Sequence, residues 1–210
     1  MSQIKIHMIH DFVCSWCAIG YKHLTSAIDE LGIDVDIRFL PHELSPSMRQ
    51  EGMDIRDYFR VKHGWTNEKH DEYRTKLLEA IEESGANIDF RYRTHYFNTH
   101  LAHRLLAEAE IEGLGQIVHG LILDAYHAHG INISDKMFLA DLATDVGMSK
   151  QAIDRSLDRY QFSLAFLEAS RARAKRPTHT VPAWVINDET LILGSKSQAF
   201  FKSHLSKLIE

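Results

Sequence analysis

A chain of 210 residues, 44% hydrophobic and 25% charged, has the composition of an ordinary globular protein, long enough for one domain carrying an insertion. Its net charge of −5 argues against a nucleic-acid partner, and no apolar run reaches the ~18 residues that a membrane span needs. The two cysteines stand only three positions apart, Cys14 and Cys17, so a disulfide between them would restrain little chain, which argues against a stabilising role.

Ile4 to His10 alternates in polarity and is rich in β-branched residues, which predicts a strand and not the apolar core of a leader peptide; a cytoplasmic protein is therefore expected. From Ser15 onward Ile19, His23, Leu24, Ile28 and Leu31 recur at helical spacing, and Gly32 suits the residue that closes such a helix. Val35 to Leu40 predicts a second strand, ended by Pro41, which completes a βαβ unit.

Between His42 and Arg176 no convincing strand is evident. Helical stretches are predicted at Asp54 to Phe59 and Asn67 to Ser84. Another runs from Thr99 to Glu112, with Asn98 as its cap and Leu101, Leu105, Leu106 and Ala109 facing inward. Ile117, Leu121, Ile122, Ala125 and Tyr126 mark the next, stopped at Gly130; Ser134 and Ser149 are expected to cap two more, and Gln161 to Lys175 reads as a last one. Beyond Pro177, Ala183 to Ile186 and Thr190 to Leu193 predict two strands joined by a turn, and Ser197 a cap for the closing helix. The order βαβ, helices, ββα predicts an α/β domain of residues 1–42 and 177–210 interrupted by an all-helical insertion, residues 43–176.

A Cys-x-x-Cys pair directly after a first strand is either a redox centre or half of a zinc site. Zinc needs two further ligands, and neither His127/His129 nor His100/His103 stands at a zinc-motif spacing. Placed at a helix N-terminus, Cys14 would be held as a thiolate by unpaired N–H groups and the positive end of the helix dipole, and would act as the nucleophile. Cys17, one turn deeper, would resolve the mixed disulfide. Ser15 and Trp16 between them bring no cation, so a potential of roughly −150 to −250 mV is expected. Ser15 and Trp16 are expected to meet the substrate, Trp16 through an apolar contact, and Trp184 reads as core. His42-Glu43 and the basic run Arg171, Arg173, Lys175, Arg176 read as packing and a solvated face, with an anion landing site as the alternative for the run.

Taken in order, Asp11-Phe-Val-Cys-Ser-Trp-Cys-Ala-Ile-Gly20, Leu40-Pro-His-Glu-Leu-Ser-Pro46, Glu51-Gly52, Asn98-Thr-His-Leu-Ala-His-Arg104, Ala125-Tyr126, His129-Gly130, Ile133-Ser-Asp135 and Val181-Pro-Ala-Trp-Val-Ile186 resemble the DsbA family of thiol-disulfide oxidoreductases. The likeness is nearest to its FrnE-like branch, neighbour of the 2-hydroxychromene-2-carboxylate isomerases. It implies a thioredoxin-like α/β fold with a large helical insertion and a cis-proline at Pro182 facing Cys14 and Cys17. It also implies that the backbone of Val181 pairs with the substrate chain like an added strand. Asn98 and His103 are expected to line the cleft over Cys14. Ser195, in Gly194-Ser195-Lys196, would hold an anionic group as in glutathione-dependent relatives, whose aspartate is here Lys196. The buried acid that thioredoxin-like proteins often carry six residues before the first cysteine is here Met8, which leaves His10 or Asp11 to take the proton of Cys17. Expected partners are a disulfide-containing protein or a low-molecular-weight thiol, with no nucleic acid and no membrane; no bound cofactor is expected, and glutathione would serve as co-substrate. Two other functions follow less directly: a glutathione-dependent isomerase or transferase, and a non-catalytic, chaperone-like binding module.

Overall fold

The structure, a computed structural model, describes residues 3–158, 160–176 and 178–209; Pro177, the expected start of the second α/β segment, lies outside them. Strand β1 (Ile4–His10) leads through a tight turn to helix α1 (Ser15–Leu31) and strand β2 (Val35–Pro41). Strands β5 (Ala183–Ile186) and β6 (Thr190–Leu193) and helix α9 (Gln198–Ile209) close the chain. β2 runs parallel to β1, and β5 antiparallel to it, giving a four-stranded sheet in the order β2-β1-β5-β6. This is the thioredoxin-like α/β fold, with a large helical insertion between β2 and β5.

Alternation along β1 explains its position. Ile4, Ile6 and Met8 are buried on one face while Lys5 is exposed and His7 half-buried. Met8 and Trp184, paired across β1 and β5, are both fully buried, and the Trp184 indole stacks edge-on against Phe201 of α9 while donating from Nε1 to the Gly194 carbonyl (3.1 Å). α1 crosses this layer closely at Gly20. A Cβ there would stand 3.0 Å from Trp184 Cζ2 and 3.3 Å from Pro182 Cγ, so the missing side chain lets the Pro182 loop approach the helix.

The insertion contains α2 (Ile55–His63), α3 (Asn67–Ser84), α4 (His100–Ile111), α5 (Gly115–His127), α6 (Lys136–Asp145), α7 (Lys150–Leu157) and α8 (Leu164–Ala174). It is not wholly helical: two short strands, β3 (Met53–Asp54) and β4 (His95–Tyr96), pair antiparallel. Two residues are too few to show a strand's period. The helix expected over 161–175 also starts later, at Leu164. Arg104 of α4 gathers the carbonyls of Arg155 (2.6 Å), Asp158 (3.1 Å) and Gln161 (2.9 Å) with Nη2, which holds the chain open between α7 and α8. Ser163 then restarts the helix, accepting from Phe166 N and donating to the buried Glu108.

Capping differs from expectation at two places. Asp135, not Ser134, caps α6, accepting from Met137 N, while the Ser134 hydroxyl donates to Gln50 O (2.7 Å). Thr99 is the cap residue of α4, although Asn98 Oδ1 still accepts from His100 N (2.9 Å). In α5 the buried face is Val118, Ile122, Ala125 and Tyr126, and Ile117 and Leu121 are exposed. Gly130 holds φ +65°, and a Cβ on it would fall 2.0 Å from the Tyr92 carbonyl oxygen. Replacing Gly130 with alanine is therefore expected to cost about 3 kcal/mol or more through combined strain and backbone clash, measured as a lowered urea midpoint at unchanged slope.

Candidate functional site

Cys14 follows a turn in which its own N–H donates to Asp11 O (3.1 Å), and it sits at the N-cap of α1, extended at φ −84° and ψ 110°. Cap residues often present a side-chain acceptor to the first free N–H groups of a helix; the Cys14 sulfur lies near these groups but makes no side-chain cap hydrogen bond. The S–H of Cys17, foremost, and the backbone N–H groups of Cys17 and Trp16 lower the Cys14 thiol below its ordinary value, against burial and the charge of Asp11. Cys17 is fully buried, and burial first, then its neighbour Cys14, pushes it well above. Two thiols one helical turn apart are thus driven in opposite directions, and both are free.

The Val181–Pro182 peptide bond is cis, and Cys14 Sγ lies 4.0 Å from the Val181 carbonyl oxygen. Trp16, half-buried, shares an open groove with Val181 and Ser195, so three residues assigned to substrate meet on one surface beside the dithiol. Ser15 is turned the other way, buried, into a second cavity between α1, α2 and α3.

Two other candidates are placed differently. The Asn98 amide donates to the carbonyls of Met48 (3.0 Å) and Pro46 (3.3 Å), tying down the 46–48 loop, and does not line the groove at Cys14. His103 is buried, its Nε2 3.3 Å from Asp11 Oδ1 with both side chains 1% exposed. His42 and Glu43 are engaged by Arg173 (2.8 Å) and His100 (2.9 Å). The basic run is largely structural as well. Arg173 donates to the carbonyls of Arg176 and Thr178, and Arg176 pairs with Asp188 (2.6 Å), so these two fasten α8 to the start of the second α/β segment.

Of the two candidate proton acceptors, Asp11 lies nearer the thiols. Its charge raises both cysteine thiols and its backbone N–H lies at Cys17, and its carboxylate also accepts from Leu44 N (2.6 Å). His10 has neither ring nitrogen hydrogen-bonded and is packed among the rings of Phe12, Phe39, His103 and His119, at centroid distances of 4.8 to 5.5 Å. Burial, then His119 and His103, hold it neutral. His119 and Arg93 carry no sequence signal of this kind. Arg93 is buried, donates from Nη2 to Val13 O (2.9 Å) just before the nucleophile, and faces the rings of Tyr96 and Tyr126. Only the aromatic-basic density of Phe90 to Phe97 hints at it. Among the described residues there is no cluster of histidine, cysteine and carboxylate groups able to hold a metal, and no helix long and apolar enough to cross a membrane.

Comparison with known proteins identifies the domain and the fold. The DSBA-like thioredoxin domain matches residues 5–206. A probable DsbA oxidoreductase from Streptomyces coelicolor superposes with a TM-score of 0.84 at 20% identity, over 98% of this chain and 89% of its own. The cytosolic disulfide reductase DsbM from Pseudomonas aeruginosa, solved with GSH, gives 0.65 at 16% identity over 98% of both chains. A 2-hydroxychromene-2-carboxylate isomerase gives 0.67 at 15% identity, over 98% of this chain and 96% of its own. At these identities the likeness is one of fold. No curated protein sequence matches the chain.

Proposed function

Because the chain belongs to the DSBA-like thioredoxin domain family, we propose that it is a thiol-disulfide oxidoreductase whose nucleophile is Cys14 and whose resolving thiol is Cys17. The observation that carries this reading is the opposite displacement of the two thiols at the start of α1, with Cys14 Sγ 4.0 Å from the Val181 carbonyl. In the reducing direction the Cys14 thiolate attacks one sulfur of a substrate disulfide, the substrate S–S bond breaks, and one substrate thiolate leaves. The Cys17 thiol then loses its proton, its sulfur attacks Cys14, and the second substrate thiolate leaves. The protein ends as the Cys14–Cys17 disulfide, and two electrons have passed to the substrate. Oxidation of a substrate dithiol is the same sequence reversed.

In this reading Val181 and Pro182 orient the substrate, Trp16 and Ser195 hold it across the groove, and Asp11 takes the Cys17 proton. His103, from beneath, is a positioning residue for Asp11. Asn98 is assigned no substrate role. Residues 1–42 and 177–210 carry the chemistry and 43–176 covers it. A place in the FrnE-like branch and a cytoplasmic setting, with glutathione as co-substrate and proteins or small thiols as partners, complete the reading. The intact dithiol disfavours the isomerase or transferase alternative, and a chaperone-like module would leave the Cys14 environment unused.

Catalysed reduction of insulin by dithiothreitol tests the proposal: the protein is expected to accelerate it, and no acceleration in either this assay or oxidative refolding contradicts it. Asp11→Asn makes a sharper prediction. Removing the charge that raises both thiols lowers Cys14 further, whereas losing the proton acceptor slows resolution by ~10²-fold, typical of general-base loss. Stopped-flow measurement of mixed-disulfide formation and decay separates the two effects. A faster second step would remove Asp11 from its assigned role.

A further inference from the structure

The cavity into which Ser15 turns has a volume of about 130 Å³, close to the ~150 Å³ that takes one benzene ring in an apolar protein cavity. Its walls combine flat apolar surface with cationic donors. Phe59 and Phe90 contribute rings, and Tyr73 and Tyr96 two more. Arg74, half-buried, lies over the Phe90 ring at 5.2 Å, and Arg93 approaches the same ring at 5.8 Å. The Nε–H of each guanidinium is buried without a hydrogen-bond partner, and among the described residues neither arginine is ion-paired with a carboxylate.

Buried donors are almost always satisfied, and an orphaned guanidinium N–H is costly. The other charges at this cavity are already engaged. Arg56 is paired with Asp71 (2.6 Å), which also stands 3.9 Å from His70 Nδ1. Asp54 accepts from the N–H groups of Arg56 (2.8 Å) and Asp57 (3.2 Å) at the start of α2. Two cations on aromatic walls, around a space the size of one ring, have no carboxylate in ion-pair contact: Asp71 acts on Arg74 only from a distance, and Arg93 spends Nη2 on Val13 O and keeps Nε free.

We propose that this cavity binds a small organic acid, one aromatic ring bearing a carboxylate, with the carboxylate on Arg74 and Arg93 and the ring between Phe59 and Phe90. The ligand would lie against Ser15, beside the nucleophile. Its binding does not depend on the redox chemistry of the dithiol, so each reading can fail without the other.

Benzoate and benzamide, equal in shape and different in charge, are the probes. Calorimetry on the full chain is expected to show benzoate binding, benzamide at least tenfold weaker, and a fall in benzoate affinity with rising salt. Arg74→Met keeps an unbranched side chain without the guanidinium over Phe90 and should weaken benzoate by ten- to a hundredfold, with Arg74→Lys recovering part of the loss. Equal affinity for the two probes overturns the proposal and needs no variant. So does the absence of benzoate binding at millimolar concentration, binding of inorganic phosphate in its place, or unchanged affinity in Arg74→Met.

Discussion

Cys14→Ser is expected to lower disulfide exchange by ~10³-fold or more, while Cys17→Ser retains the first attack and accumulates a covalent complex with substrate. The asymmetry follows from the positions of the two sulfurs. Cys14, 8% exposed, is stabilised as a thiolate by the Cys17 S–H and by N–H groups at the start of α1, and stands beside the Val181 carbonyl. Cys17 is fully buried and held as a thiol, so it can reach only a sulfur already attached to Cys14. Non-reducing electrophoresis with a disulfide-bonded protein substrate reads both outcomes. A trapped complex in Cys14→Ser rather than in Cys17→Ser would reverse the assignment.

The second large effect is on stability. Below about pH 6.5 the protein is expected to lose roughly 3 kcal/mol of folding free energy per pH unit, a steep loss against a typical total of about 5–15 kcal/mol. His10, His119 and His127 are at most 1% exposed, and burial above all holds each well below the ordinary histidine value. None can accept a proton without leaving a cation among rings: His119 is stacked on Phe39 at 3.9 Å, and His127 donates from Nε2 to Phe12 O (2.9 Å). Between pH 6.5 and the lowered folded values, the unfolded chain therefore binds three protons that the folded chain refuses, and stability falls as pH falls. Glu110 acts in the opposite sense. Burial pushes it up to about 7, so between roughly 7 and 4.5 the folded chain holds a proton that the unfolded chain has lost. From these four groups two protons remain, at about 1.4 kcal/mol each per pH unit, and the half-buried His7 and His42, also lowered chiefly by burial, act in the same sense. Urea midpoints taken between pH 7.5 and 5 check the slope, and His119→Phe should flatten it by about 1.4 kcal/mol per pH unit. A level profile would mean that these histidines are protonated in the fold.

The strands and helices nearest the dithiol were legible in the sequence because their signals are local. β1 shows a period of two, and α1 ends at a glycine whose φ of +62° is the left-handed closure expected of Gly32. Asn67 to Ser84 and both late strands have the predicted bounds. What could not be read depends on distant partners. Arg104 breaks the 161–175 helix from more than 50 positions away, and nothing in Gln161 to Ser163 announces it. Cys14 and Cys17 were legible as a pair, and Asp11 as one of two candidates. The proposed preference for Asp11 over His10 rests on the His103 and His119 rings around His10, supplied by α4 and α5. Asn98 and His103 followed a motif whose residues here serve the 46–48 loop and the Asp11 carboxylate. Arg93 lies in a stretch without periodicity, so neither its contact with Val13 nor its orphaned Nε could be inferred.

The central claim is that α1 separates the two thiols into a nucleophile and a resolver. Its most direct test is the pH dependence of iodoacetamide alkylation of the fully reduced native protein, with the modified residue located by mass spectrometry. The predicted result is modification of Cys14 alone, with a single titration below the free-thiol value of ~8.5. Equal modification of Cys14 and Cys17, or a Cys14 titration at or above that value, would contradict it.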